Sequence, residues 1–235
     1  MEVLKFELSS IGATFTRPYF NSVYTSYSHI HKVALLGMLG AIIGIEKKHN
    51  SENSLPPAYE KLMNLQVAIV PKQCKFPSKI NTITETTGMF NDRNTFLVNY
   101  EELIRPCWNI YILKNDDESY YKAIKDFILN HKAKYVPYLG KNHFQAKISY
   151  IEILESKDVD IKDISKIDSL FLAKDIITEL AENDRVLLEE GMPISINPKT
   201  YQYNEEIIKY TNDTIVDIKS DLHLLKCNNK ILNFI

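Results

Sequence analysis

The run from Val33 to Ile45 limits most strongly what this chain can fold into, because it holds no charged residue and three of the chain's seven glycines. Gly37, Gly40 and Gly44 are three and four residues apart, so a helix places them on one face. Glycine inside a helix costs about 1 kcal/mol relative to alanine. The pattern therefore predicts a buried helix whose glycine face lies close to another backbone, which we expect to be the face of a β-sheet.

The composition indicates a globular chain, with 45% hydrophobic and 25% charged residues. The apolar run of thirteen residues is shorter than the roughly 20 that span a bilayer. The first ten residues lack the basic and apolar regions of a secretory signal, so we expect a cytoplasmic protein without a membrane anchor. Cys74, Cys107 and Cys227 show no C-x-x-C spacing, which argues against a disulfide framework or a zinc site. We expect no metal and no cofactor.

Charge is unevenly distributed along the sequence. Residues 1–150 contain 18 Lys+Arg and 13 Asp+Glu, whereas residues 151–235 contain 10 Lys+Arg and 17 Asp+Glu. A basic part therefore precedes an acidic part. This asymmetry indicates an anionic partner for the first part.

Apolar periodicity predicts an α+β fold in the first 150 residues. Period-two patterns predict strands near residues 4–8, 108–112 and 144–150, and a short β-rich run stopped by Pro71 predicts another at 65–70. Helical spacing predicts helices near 33–45 and 119–131. The order strand, helix, strand, strand, helix, strand is typical of a ferredoxin-like (RRM-like) domain, with two helices on one face of an antiparallel sheet. We expect the other face to be free to bind a partner. The aromatic RNP1 signature is absent, so RNA stacking on the sheet is not predicted.

The connection from Pro71 to Pro106 is unusually long for a compact domain. Residues 80–86 and 95–100 are rich in β-formers and are separated by turn residues, which predicts a protruding β-hairpin. Beyond residue 150 the pattern indicates short strands. We therefore predict two units, a ferredoxin-like domain at 1–150 with a hairpin at about 71–106, and a small acidic β-rich subdomain at 151–235.

Three short motifs occur in a characteristic order. After the first strand come a glycine-alanine pair, an aromatic residue, a basic residue with proline and a tyrosine-containing loop, namely Gly12-Ala13, Phe15, Arg17-Pro18 and Thr25-Ser26-Tyr27, and then the glycine helix. The second motif is Pro137-Tyr138-Leu139-Gly140-Lys141, and a weaker third is Met192-Pro193 with Tyr203. Together they resemble the Cas-five family, CRISPR-associated RAMP proteins of type I Cascade, and look closest to subtype I-B.

This resemblance implies a subunit that binds the five-prime handle of the CRISPR RNA. It would sit at one end of the Cas-seven backbone, contact the large Cas-eight subunit and meet target DNA only through the complex, with the hairpin as the family's thumb. Phosphates would meet Arg17, Lys32, Arg93 and Lys141, and base faces would meet Tyr19, Tyr27 and His29. His31, Asn142 and His143 complete the expected RNA-binding set.

Two other functions remain open at the level of sequence. A metal-independent endoribonuclease that processes precursor RNA needs an acid and a base, and Tyr27, His29, His31, Lys141 and His143 are the candidates. Because histidines in RNA-binding loops more often form hydrogen bonds than react, we expect no catalytic residues. The second alternative is a ferredoxin-like metabolic protein unrelated to RNA. Trp108 is expected in the core, since Ile110 and Ile112 share its strand face.

Overall fold

The computed structural model describes residues 1–18, 23–46, 54–87, 94–114, 118–160, 164–179, 186–218 and 222–235. Three helices lie within these ranges: α1 Lys32–Ile43, α2 Pro57–Leu62 and α3 Glu118–Leu129. The strands are β1 Glu2–Ser9, β2 Gly12–Ala13, β3 Val23–Tyr24, β4 Val67–Pro71, β5 Ser78–Thr87, β6 Asn94–Ile104, β7 Cys107–Leu113, β8 Lys147–Asp158, β9 Phe171–Leu172, β10 Ile176–Glu179, β11 Leu187–Ile196, β12 Tyr203–Thr211, β13 Thr214–Ile218, β14 Leu224–Cys227 and β15 Lys230–Asn233. The molecule is sheet-rich with few helices, so the α+β class is confirmed.

A six-stranded sheet forms the centre of the molecule, in the order β15-β14-β8-β1-β7-β4. Every neighbouring pair in it is antiparallel. On β1 the alternating residues Leu4, Phe6 and Leu8 are fully buried on the side that also carries the helices. The predicted strand boundary at residue 150 lies inside β8, which runs on to Asp158 and pairs there with β14.

Helices α1 and α3 cover this face of the sheet for different sequence reasons. In α3 the buried residues Tyr121, Ile124 and Ile128 recur at helical spacing, while Lys122 and Asp126 are exposed. Helix α1 is apolar nearly all round and is buried along most of its length. The sequence pattern for both helices is confirmed within a residue or two at their ends.

The glycines of α1 do not lie against the sheet, so that prediction was wrong. A Cβ at Gly40 would lie 2.4 Å from the Cβ of Ala58, so Gly40 permits the close approach of α2. Gly44 ends the helix in the left-handed conformation, with φ of 81°. At Gly37 a Cβ would have no neighbouring atom of the described residues within 4 Å.

The second face of the central sheet is not open either, contrary to expectation. Val3, Ala68 and Tyr111 point to this face and pack with Leu225 of β14 and Phe234, which follows β15. The two edges of the sheet meet, because Val67 of β4 and Ile235 exchange two backbone hydrogen bonds (3.2 and 3.0 Å). The sheet thus closes on itself, and the face on which RNA-recognition modules bind RNA is turned inward toward the C-terminal hairpin, β14 and β15.

A second sheet connects the N-terminal loop to the long hairpin. Strands β5 and β6 pair from Ser78↔Leu103 to Thr87↔Asn94, and β6 also pairs with β2 and, in parallel, with β3. The hairpin base is therefore held by the segment that follows β1. Among the described residues, no helix is long and apolar enough to cross a bilayer.

Candidate nucleic-acid interface

Two of the sequence motifs, distant in the chain, pack against each other. The Thr14 N–H donates to the Leu139 carbonyl (3.2 Å), and the Leu139 side chain is buried. Gly140 has φ of 86°, and a Cβ at this position would lie 1.7 Å from the Thr14 carbonyl oxygen. Only glycine fits here, because it alone combines this backbone conformation with the close approach. The contact fixes the direction of the next residue, Lys141.

Lys141 points to the base of the β5–β6 hairpin, where it shares a carboxylate with a second lysine. Its Nζ lies 2.9 Å from Glu102 Oε1, and Lys79 Nζ lies 3.4 Å from Glu102 Oε2. The Glu102 side chain is buried. Burial disfavours its charged form, but the hydrogen bond and charge of Lys141, with hydrogen bonds from Asn81 and Lys79, together lower the pKa of Glu102. Two cations around one carboxylate leave a net positive charge.

An aromatic pair adjoins these charges. The rings of Tyr24 and Tyr100 stack with centroids 4.9 Å apart and an interplanar angle of 13°. Lys141 Nζ lies 3.9 Å from the centroid of the Tyr100 ring, within cation–π range. We call Tyr24, Lys79, Tyr100 and Lys141 the hairpin-base cluster. It offers aromatic surface and positive charge together, which is the combination that single-stranded nucleic acid requires.

Arg17, the first cation of the N-terminal motif, is already paired. Its guanidinium forms an ion pair with Glu190 of β11, and its Cζ lies 4.9 Å from the centroid of the Tyr27 ring. Glu190 is buried, and it also accepts from the Ser28 N–H (3.1 Å). Burial raises the pKa of Glu190, while Ser28 and Arg17 act in the opposite direction. Arg17 thereby ties the N-terminal loop to β11.

Three predicted RNA contacts lie in the core, so their assignment as RNA ligands is wrong. Tyr27 is 1% exposed and its hydroxyl donates to Glu205; His29 and His31 are 0% and 5% exposed. His29 Nε2 donates to the Cys74 carbonyl (2.8 Å). Such rings cannot stack on a base in this structure, because neither face is accessible. These three side chains therefore point into the protein and not toward solvent.

The two histidines are neutral for a physical reason. Trp108 Nε1–H donates to His29 Nδ1 (3.1 Å), which therefore carries no proton, and burial lowers the pKa of His29 to about 4. His31 Nδ1 accepts from the Ala34 N–H (3.3 Å) and so caps α1. Burial lowers the pKa of His31 to about 3. Trp108 is fully buried, as predicted.

The remaining predicted residues differ in accessibility. Lys32 is half-buried at the start of α1, and burial lowers its pKa to about 8. Asn142 and His143 are exposed in the turn after Gly140, with the His143 ring centroid 4.2 Å from that of Phe144. Tyr19 and Arg93 lie outside the described residues.

Comparison with known proteins identifies the family to which these motifs belong. The family model described as "CRISPR-associated protein (Cas_Cas5)" matches residues 3–215. The chain belongs to the Cas-five family. Members of this family are mainly structural RNA-binding subunits of Cascade-like complexes. This membership removes the metabolic alternative.

Two solved structures of CRISPR proteins share the fold at low sequence identity. A chain of a "CRISPR RNA-guided surveillance complex" superposes with a TM-score of 0.55 at 11% identity, covering 91% of this chain and 90% of that one. A "CRISPR protein from Archaeoglobus fulgidus" gives a TM-score of 0.52 at 9% identity, with 99% and 98% covered. No curated protein sequence matches.

The hairpin-base cluster of this Cas-five chain contains three residues that the sequence did not single out as ligands: Tyr24, Lys79 and Tyr100. Glu102, which holds the two lysines, was missed as well. One signal was present, because Tyr100 ends the strand predicted at 95–100; β6 runs on through Glu102 to Ile104. Among the residues that the structure describes, no group of three or more His, Cys, Asp or Glu side chains is arranged to hold a metal ion.

Proposed function

We propose that this protein is the Cascade subunit that binds and caps the five-prime handle of the CRISPR RNA. One observation carries the proposal: the two family motifs and the long hairpin converge on the hairpin-base cluster, which combines stacked tyrosines with two lysines. A single RNA strand presents both bases and phosphates to such a surface. The family and its RNA-binding character support the same conclusion.

The cluster is suited to a strand whose bases are splayed out of a helix. A base stacked on an aromatic side chain contributes about 1–3 kcal/mol. In the free protein Glu102 neutralises only one of the two lysine charges, so a phosphate gains a net attraction. The exposed Asn142 and His143 extend the polar edge of the same turn. The proposed contacts are therefore Tyr24, Lys79, Tyr100, Lys141 and the Asn142-His143 turn.

We further infer that β1, α1, β4, β7, α3 and β8 form a ferredoxin-like unit, since their strand order is β8-β1-β7-β4. The β5–β6 hairpin then acts as the thumb of the family. It carries exposed apolar side chains at Ile80, Ile83 and Leu97 (57%, 37% and 70%), which suit contact with a neighbouring Cas-seven subunit. The acidic part from residue 151 onward is the candidate contact for the Cas-eight subunit.

We infer that the subunit is not an enzyme. A metal-independent nuclease requires an acid and a base at the scissile phosphate. Of the five candidates, Tyr27, His29 and His31 are buried. Incubation of the purified protein with repeat RNA in EDTA should give no product. A product that disappears with His143→Ala would contradict this inference.

The proposed function is tested by co-expression with a CRISPR RNA and the Cas-seven subunit. The wild-type protein should co-purify with both, and Lys79→Gln/Lys141→Gln should lower handle affinity at least about 10-fold, because each lysine contributes a charge-assisted contact. The matched control is Lys61→Gln/Lys199→Gln, which removes the same charge from two exposed positions elsewhere. Equal affinity of the two variants would refute the assignment of the hairpin-base cluster.

A further inference from the structure

The net positive charge of residues 1–150 arises in one short region. Residues 119–150 contain six lysines and one acidic residue, Asp126, whereas residues 1–118 contain 12 Lys+Arg and 12 Asp+Glu. The entire basic excess of residues 1–150 therefore comes from α3 after Glu118, the following loop and the start of β8. An anion-binding surface is accordingly expected in this region.

The loop between α3 and the Tyr138 turn combines these charges with exposed aromatic side chains. In the segment 131–138 the side chains of Tyr135, Val136 and Tyr138 are 46%, 65% and 46% exposed. Lys132 and Lys134 are exposed beside them. We call this segment the 131–138 strip. A patch of exposed large apolar side chains is typical of an interaction site.

The strip is held rigidly in spite of its exposure. Lys134 N–H donates to the Ile42 carbonyl (2.8 Å) and Tyr135 N–H donates to the Ala41 carbonyl (3.2 Å), so the strip lies across the end of α1. Lys132 N–H donates to the Phe127 carbonyl (2.8 Å) at the end of α3. Because these backbone hydrogen bonds hold the strip to two helices, they reduce the cost of ordering it on binding.

The lysines of the strip differ from those at the hairpin base. Within the described part of the chain, neither Lys132 nor Lys134 makes an ion pair, whereas Lys79 and Lys141 at the hairpin base both pair with Glu102. A groove of about 220 Å³ runs beside the strip. Its floor is apolar, formed by Ile128, Pro137 and Ile148, with His131 and Lys132 among the residues that line it.

We propose that the 131–138 strip is a second binding surface for single-stranded RNA, which it holds through Lys132 and Lys134 at the phosphates and through Tyr135 and Tyr138 at the bases. The proposal rests on the proposed function, because it requires that the protein bind RNA. The strip is continuous with the first site, since Tyr138 directly precedes Leu139-Gly140-Lys141 and bridges to Gln145 in the same turn. An RNA strand leaving Lys141 meets the strip next.

Charge and stacking are separated by two pairs of substitutions, assayed by filter binding of a single-stranded RNA that consists of the handle and a uridine extension. Lys132→Gln/Lys134→Gln should weaken the salt dependence of binding: the negative slope of log affinity against log salt should become shallower by about 1.4, because each phosphate contact on a single strand contributes about 0.7. Tyr135→Ser/Tyr138→Ser should leave that slope unchanged and lower the affinity about 5-fold or more for each stacked base that is lost.

The matched control is Lys157→Gln/Lys226→Gln, two exposed lysines that face each other in the register of β8 and β14. Its salt slope should equal that of the wild type. A strip variant with the salt slope and affinity of the wild type overturns the proposal. A lowered Tm of that variant would then show that the lysines only stabilise the helix ends. Its loss from the assembled complex would instead show that they bind a protein subunit.

Crosslinking provides a readout that does not depend on substitution. Ultraviolet irradiation of the wild-type complex should join RNA to Tyr135 or Tyr138, detected by mass spectrometry of the peptide. Crosslinks confined to the hairpin-base cluster would overturn the strip and leave the proposed function intact. A wild-type protein that binds no RNA at all would overturn both.

Discussion

At the scale of single residues, the buried histidines determine how the N-terminal loop is held. His29 bridges two parts of the chain, because its Nε2 donates to Cys74 and its Nδ1 accepts from Trp108. Trp108 is fully buried, so its indole N–H would otherwise have no hydrogen-bond acceptor. The loop therefore depends on a neutral imidazole in the core, and its stability should respond to substitution and to pH.

Replacement of His29 by alanine should destabilise the fold without acting on RNA directly. The variant leaves the Trp108 N–H and the Cys74 carbonyl unpaired and opens a cavity, at a cost of about 2–4 kcal/mol. Urea denaturation followed by circular dichroism measures this loss. His143→Ala, at an exposed position, should change the free energy of unfolding by less than about 0.5 kcal/mol. Equal stability of the two variants would show that His29 is not a core residue.

Acidification should destabilise the protein through His31. Burial lowers its folded-state pKa from 6.5 to about 3, so in mild acid the unfolded chain binds a proton that the folded chain does not. The stabilisation is therefore complete above about pH 6.5 and is lost as the pH falls. His31→Asn keeps an N-cap acceptor but cannot titrate. Between about pH 7 and pH 5 the wild type should lose about 2 kcal/mol more than this variant; parallel pH profiles would contradict the assignment.

At the scale of elements, glycine has opposite effects on stability in α1 and in the turn before β8. The helix has space for a side chain at Gly37. The turn has no space for one at Gly140, because the Thr14 carbonyl lies too close. Strain at positive φ adds to that clash. The same residue type thus weakens one element and makes the other possible.

The pair Gly37→Ala and Gly140→Ala tests this contrast with one chemical change. Gly37→Ala should stabilise the protein by about 0.5–1 kcal/mol, because alanine is the better helix former. Gly140→Ala should destabilise it by more than about 2 kcal/mol and also weaken handle binding, since Lys141 would be displaced. Both free energies come from urea denaturation. A neutral Gly140→Ala variant would show that the turn adapts.

Sequence periodicity predicted the helices α1 and α3 and most of the strands of the central sheet, because period-two and helical burial leave a direct trace in the order of residues. It failed at Gly40, since nothing in the glycine spacing reveals that Ala58 of α2 is the neighbour. It failed at Tyr27, His29 and His31 for a related reason. A polar ring buried with a distant partner such as Trp108 looks the same in sequence as one exposed to RNA.

At the scale of the whole molecule, the C-terminal hairpin joins the acidic part of the chain to the first sheet. Strand β14 pairs antiparallel with β8 in the central sheet, and the side chains of Leu225, Leu232 and Phe234 pack against those of Val3 and Tyr111. The unit at 151–235 therefore shares a core with the first 150 residues. Cooperative unfolding of both parts is the expected consequence.

Leu232→Ala tests this coupling. Leu232 is fully buried, so the substitution should cost about 2–4 kcal/mol. Native-state hydrogen exchange should then show the same loss of protection in β1 and β7 as in β15. The control Ile177→Ala, at a position 56% exposed, should have little effect. Loss of protection confined to β14 and β15 would mean that the two parts open separately.

Trp108 is the chain's one tryptophan, and it is packed against Phe15, His29 and Phe76 with ring centroids 6.1, 6.5 and 5.2 Å away. The protein thus contains a single intrinsic indole fluorophore, placed at the junction of the N-terminal loop, β7 and the segment that leads into the hairpin. Its emission reports on one known position without any label. Movement of the loop or hairpin as the subunit enters its complex can therefore be followed optically in the unmodified chain.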